Sequence, residues 1–130
     1  MFSRLSGRTY DNIKYKNLYQ IFEEHYSNVN INEKILHEVG AGRFTYGQLY
    51  ERILRTSFWI SEVNLRKGSV VGVFLPNGIN RIAMILALAK HGIIFFPIDP
   101  VLTKENLEQN IQHVQVDLVV IENHETYIKT

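Results

Sequence analysis

Asp99 is the polar residue best placed to do chemistry in this chain. It stands between Pro97 and Pro100, directly after the apolar run Ile93-Ile94-Phe95-Phe96. If that run is a strand of an open parallel α/β sheet, Asp99 lies at its carboxyl end, where such sheets place ligands. The same position suits a carboxylate that accepts from backbone amides in a proline-stiffened turn, and turn chemistry favours this second role. Pro76-Asn77-Gly78 is the other candidate, because it separates an apolar run from an alanine-rich helical pattern, where amides and the helix dipole can hold an anion. No Lys or Ser/Thr follows Asn77 in phosphate-loop spacing, so Asn77 as a plain helix cap is the favoured role. Gly40-x-Gly42 resembles the start of a dinucleotide fingerprint, yet Thr45 stands where the third glycine belongs and a strand is expected to follow.

The remaining side chains offer no catalytic set. Five histidines, His25, His37, His91, His113 and His124, lack ligand spacing such as H-x-x-x-H, so no metal site is expected. His91, beside Gly92, reads as a charge or donor at a helix C-terminus. Neither a Ser/His/Asp arrangement nor a carboxylate pair emerges from the spacing. Without cysteine there is no thiol nucleophile and no disulfide, which suits a reducing, cytoplasmic setting.

Helical spacing over Asn17 to Tyr26 predicts a short helix with Leu18, Ile21, Phe22 and His25 or Tyr26 on its apolar seam. An asparagine-rich loop, Ser27 to Glu33, then leads to a small hairpin. Its strands are Ile35 to Val39 and Arg43 to Thr45, and Gly40-Ala41-Gly42 supplies the permissive turn. Thr45 and Gln48 have the spacing of a capping box, with Phe44 and Leu49 at the staple positions. The helix they open has Tyr46, Leu49, Ile53, Ile60 and Val63 as its seam, Thr56 and Ser57 as small residues midway, and an end near Asn64.

From Val70 the pattern becomes short apolar strands alternating with helices. Strands are expected at Val70 to Leu75, Ile93 to Phe96 and Leu118 to Ile121. Helices are expected at Ile79 to Lys90, closed by Gly92, and after Thr103, with Leu107, Ile111 and Val114 facing inward. Strands buried on both faces and separated by single helices imply parallel pairing through crossovers, so the fold class is α/β. The architecture expected is a partial doubly wound parallel sheet (βαβαβ) preceded by a helix, a small hairpin and a long capped helix. A small self-contained α/β domain with the same three strands is the alternative.

Of the 130 residues, 45% are hydrophobic and 12% aromatic, enough to build a core. Fourteen basic and thirteen acidic residues give a formal charge of +1 without a block of one sign, which sets nucleic acid aside as a partner. The longest apolar run, Ile82 to Ala89, spans eight residues and is too short for a bilayer, so no membrane partner is expected either.

Three runs, taken in order, resemble a known family. They are Phe44-Thr45-Tyr46-Gly47-Gln48-Leu49, then Leu65-Arg66-Lys67-Gly68-Ser69-Val70-Val71-Gly72-Val73-Phe74-Leu75-Pro76-Asn77, then Leu88-Ala89-Lys90-His91-Gly92-Ile93-Ile94-Phe95-Phe96-Pro97-Ile98-Asp99-Pro100. Together they resemble the opening motifs of the adenylate-forming synthetases: acyl-CoA synthetases, luciferases and the adenylation domains of peptide synthetases. The outer two are most similar to the first core motifs of the peptide-synthetase branch, roughly L-T-Y-x-E-L and L-K-A-G-x-x-Y-V-P-I-D. The resemblance runs from about Asn17 to Glu122. Asn64 replaces a usual glycine, Ser69 a common aspartate and His91 an alanine.

Met1 to Lys16 is polar and weakly patterned and reads as an N-terminal arm, and the resemblance implies that 17–130 is the N-terminal portion of a large synthetase domain. The complete family enzyme would use ATP and Mg²⁺ to turn a carboxylate into an acyl-adenylate and pass the acyl group to a thiol. The phosphate loop with its lysine, the ribose-binding aspartate and the catalytic lysine of such enzymes would lie beyond Thr130. The chain alone is therefore expected to be inactive, to carry no cofactor, and to seek the downstream remainder of the domain or a second copy of itself. A non-catalytic module derived from the family, or one chain of a split enzyme, is the alternative.

Overall fold

The computed structural model describes residues 14–38, 40–99, 101–121 and 126–128. Of the expected arm, 1–13 lie outside the described residues, as do Val39, Pro100 and His124. Lys14 pairs with Glu24 at 2.8 Å.

Helix α1 (Leu18–Tyr26) is capped by Asn17, whose Oδ1 accepts from the Gln20 amide at 3.0 Å. Its apolar seam differs from the expected one: Leu18 and Ile21 are exposed, while Tyr19 is buried and Phe22 packs against the core. Aromatic contacts turn the helix this way. Tyr26 stacks on Tyr50 with ring centroids 4.3 Å apart, and the Lys90 ammonium lies 5.2 Å from the Tyr19 ring centroid. Rings that can share a face outweigh the two aliphatic side chains.

Strands β1 (Lys34–Glu38) and β2 (Gly42–Thr45) form the expected antiparallel hairpin, with Leu36 opposite Phe44 and Glu38 opposite Gly42. Its turn uses Gly40 at φ +87° and Gly42 at φ +98°, a backbone that side chains disfavour. Helix α2 (Tyr46–Glu62) follows at once. The Thr45 hydroxyl accepts from the Gln48 amide at 3.1 Å and the Gln48 carboxamide accepts from the Thr45 amide at 2.8 Å, which completes the capping box. Leu49, Ile53, Ser57 and Ile60 are the buried stripe. Asn64, at φ +58°, takes the left-handed turn that ends the helical segment.

The rest is a four-stranded sheet in the order β4-β3-β5-β6. Strand β3 (Val70–Phe74) is central, flanked in parallel by β4 (Ile94–Pro97) and β5 (Leu118–Ile121). Helix α3 (Ile79–Lys90) connects β3 to β4, and helix α4 (Lys104–Val114) connects β4 to β5. Thr103 caps α4 by accepting from the Asn106 amide at 3.2 Å. Strand β6 (Thr126–Ile128) pairs antiparallel with β5, an addition that no periodicity announced.

Two apolar layers cover the sheet, so it is doubly wound. Val71, Val73, Leu118 and Val120 pack with α2 and α3 on one face. On the other, Val119 joins Ile98 and Val116 beneath Leu107, Ile111 and Val114 of α4 and the loops beside it. Gly72 belongs to this second face: a Cβ there would stand 2.8 Å from Ile98 Cδ1 and 3.3 Å from Val116 Cγ1. The missing side chain is what lets Ile98 lie across the central strand.

Candidate functional site

Both sequence candidates sit at the carboxyl ends of the two neighbouring strands β3 and β4, Asp99 engaged within its own loop and Asn77 with the helix that follows. Asp99 follows β4. Its Oδ1 accepts from the Val101 amide at 2.9 Å and its carbonyl accepts from the Leu102 amide at 3.2 Å. The carboxylate thus organises the turn into α4, the second of its two expected roles. Beside it opens a shallow cleft of ≈ 250 Å³, walled by Phe96, Ile98, Leu102 and Leu107, with Asp99 and Asn110 at its polar margin.

Asn77 follows β3, and its expected capping role is corrected by the structure. The cap position of α3 is Gly78, which contributes no side-chain bond. Asn77 Oδ1 instead accepts from the Arg81 guanidinium at 3.1 Å. The amide that opens α3, that of Ile79, donates at 3.1 Å to Oε2 of Glu38 from the hairpin. An anion does sit at this helix end, where the dipole favours it, and it is supplied by the chain itself. A Cβ on Gly78 would fall 2.7 Å from Glu38 Cδ, so glycine is what admits the carboxylate. Glu38 lies 41 residues from its partner and could not be found by spacing. The one local hint was a glycine standing where a capping side chain is usual.

A second polar junction lies at the amino-terminal ends of the strands, away from Asp99 and Asn77. His91 is the C-cap of α3, and its Nε2 is hydrogen-bonded to Ser57 Oγ of α2 at 2.6 Å. Burial, and then the neighbouring Lys90 charge, push the His91 imidazole below the ordinary histidine range. Of the two expected roles, charge or donor at the helix end, the lowered pKa disfavours the charge, and the ring is hydrogen-bonded between two helices. Ser57 is the buried polar residue of the α2 stripe, and His91 satisfies its hydroxyl. The pair joins the middle of α2 to the end of α3 and cements their packing. Among the described residues no group of three or more His, Asp or Glu side chains converges as a metal site would.

Comparison with known proteins adds a family. Residues 23–130 match the family described as AMP-binding enzyme. Among curated proteins, the chain is similar to tyrocidine synthase 2 of Brevibacillus parabrevis, 35% identical over 80 residues that make up 62% of this chain and 2% of that protein. It is also similar to gramicidin S synthase 2 of Brevibacillus brevis, 28% identical over 109 residues, 84% of this chain and 2% of the other. Among solved structures, the inhibitor-bound N-terminal domain of FACL13 from Mycobacterium tuberculosis superposes with a TM-score of 0.75 at 19% identity, over 82% of this chain and 27% of that one. That likeness confirms the partial doubly wound fold. The chain therefore spans a small part of the length of the relatives it matches.

Proposed function

Because this chain belongs to the AMP-binding enzyme family, we propose that it forms the opening structural portion of the large domain of a ligase that activates a carboxylic acid as its acyl-adenylate. The match over residues 23–130 carries this reading. In the complete enzyme, ATP and Mg²⁺ would supply the activating chemistry. The similarity to tyrocidine synthase 2 and gramicidin S synthase 2, with the resemblance of the outer motifs to the peptide-synthetase branch, supports an amino acid as the activated acid.

The contacts of the two strand-end candidates support a structural role for them. At the strand ends, the amide that opens α3 is taken by the Glu38 carboxylate, which would repel a phosphate, and Asp99 is committed to its own turn. We therefore assign these residues to scaffolding: a core, a set of caps and a sheet against which the groups that hold nucleotide and acid can be positioned. Transition-state charge in acyl and phosphoryl transfer needs preorganised donors, and in this reading other parts of the domain supply them. Pyrophosphate exchange tests the proposal. The isolated chain should give no carboxylate-dependent exchange with any amino or fatty acid, whereas a family adenylation domain whose own opening segment is replaced by this chain should retain exchange. Exchange by the isolated chain, or a folded but inactive chimera, would overturn it.

A further inference from the structure

We propose that Glu38 is a clasp: an internal anion that fills the amide end of α3 and so holds the tip of the β1–β2 hairpin against the carboxyl edge of the sheet, on a hairpin able to open independently of that sheet. The hairpin is pinned at its base by backbone bonds, Tyr46 N to Glu33 O at 3.0 Å and Gly47 N to Ile31 O at 2.8 Å. Glu38 lies at the other end, beside the turn, where its Oε2 accepts from the Ile79 amide at 3.1 Å. Between these two ends Leu36 and Phe44 are half-buried and pack against the core, while Lys34, Ile35, His37 and Arg43 are exposed. A two-stranded ribbon of this kind is barely stable by itself, so the distal contact decides whether the tip stays down.

Three features make the contact more than a chance surface bond. Helix α3 begins without a side-chain cap of its own. The bond joins a carboxylate to a helix amide, a charge-assisted pairing that the dipole reinforces. The carboxyl atoms of Glu38 occupy the space of the Gly78 Cβ, at 2.7 to 2.8 Å, so the approach exists because residue 78 is glycine. The hairpin and the loop after β3 are thereby coupled. With the clasp closed, the amide end of α3 is satisfied and closed to outside anions; with it open, the hairpin tip lifts and that end is bare. The clasp is a matter of the chain's own motion, whether or not the ligase reading holds.

Amide hydrogen exchange on the full chain tests it, comparing wild type with Glu38→Ala, Glu38→Gln and Gly78→Ala. Glu38→Ala and Gly78→Ala should each speed exchange of the paired hairpin amides by roughly tenfold or more, while β3 and β5 keep their protection. Glu38→Gln keeps an acceptor oxygen without the charge and should fall between. Unchanged hairpin exchange in Glu38→Ala would overturn the proposal, and so would an equal rise in β3 and β5, since the contact would then belong to the global fold. Should Glu38→Ala not fold, Glu38→Gln decides between the same outcomes.

Discussion

Thr45→Ala removes one half of the box that opens α2 and leaves the other intact. The hydroxyl accepting from the Gln48 amide at 3.1 Å is lost, while the Gln48 carboxamide can still accept from the residue 45 amide, now at 2.8 Å. N-cap replacements by alanine cost about 0.5–2 kcal/mol. Gln48, whose amide is orphaned, is exposed, so water can reach that amide and the expected loss is about 1 kcal/mol. Losing the cap also loosens the chain entry set by Phe44, which packs against the core, and Leu49, which is buried within it. Urea denaturation monitored by circular dichroism measures the loss as a lower midpoint at unchanged slope. Thr45→Ser keeps the hydroxyl and should stay within a few tenths of a kcal/mol of wild type. Because the two bonds are reciprocal, Thr45→Ala combined with Gln48→Ala should cost less than the two singles added together. An unchanged midpoint in Thr45→Ala, or a serine variant as weak as alanine, would refute the capping argument.

Two further substitutions probe the core and the helix junction. Gly72→Ala places a methyl 2.8 Å from Ile98 Cδ1 in the central strand and should destabilise by about 1–3 kcal/mol, read as a lower thermal midpoint; a stabilised protein would show that Ile98 is free to leave. Burial holds the folded His91 ring below its unfolded value of about 6.5, so below that pH the unfolded chain binds the extra proton. Stability should accordingly fall on acidification from pH 7 toward 5, and His91→Gln should flatten that fall; parallel profiles would show that His91 does not carry it.

Much of the fold was legible in the sequence because its signals are short-range. The Thr45 and Gln48 spacing, the turn glycines Gly40 and Gly42, Gly92 after α3 and the Thr103 cap each act within a few residues, and each is found where the chain placed it. The continuous apolar runs at Val70–Phe74 and Leu118–Ile121 announced strands buried on two faces, the pattern that parallel sheets covered by helices show. The tertiary structure decided what depends on partners far along the chain. It chose Tyr19 over Leu18 and Ile21 as the inward face of α1, because the Tyr50 ring was there to stack on Tyr26 and the Lys90 ammonium to lie over Tyr19. It added β6 beside β5, although Thr126–Ile128 is too short to carry a period of its own. It joined Ser57 to His91 across two helices and brought Glu38 to the end of α3, displacing Asn77 from the cap. A side chain at a helix end competes for that end with every acceptor the packing brings near. Local spacing ranks only the neighbours in sequence, whereas here a carboxylate with its charge and a glycine that made room for it outcompeted the adjacent amide side chain.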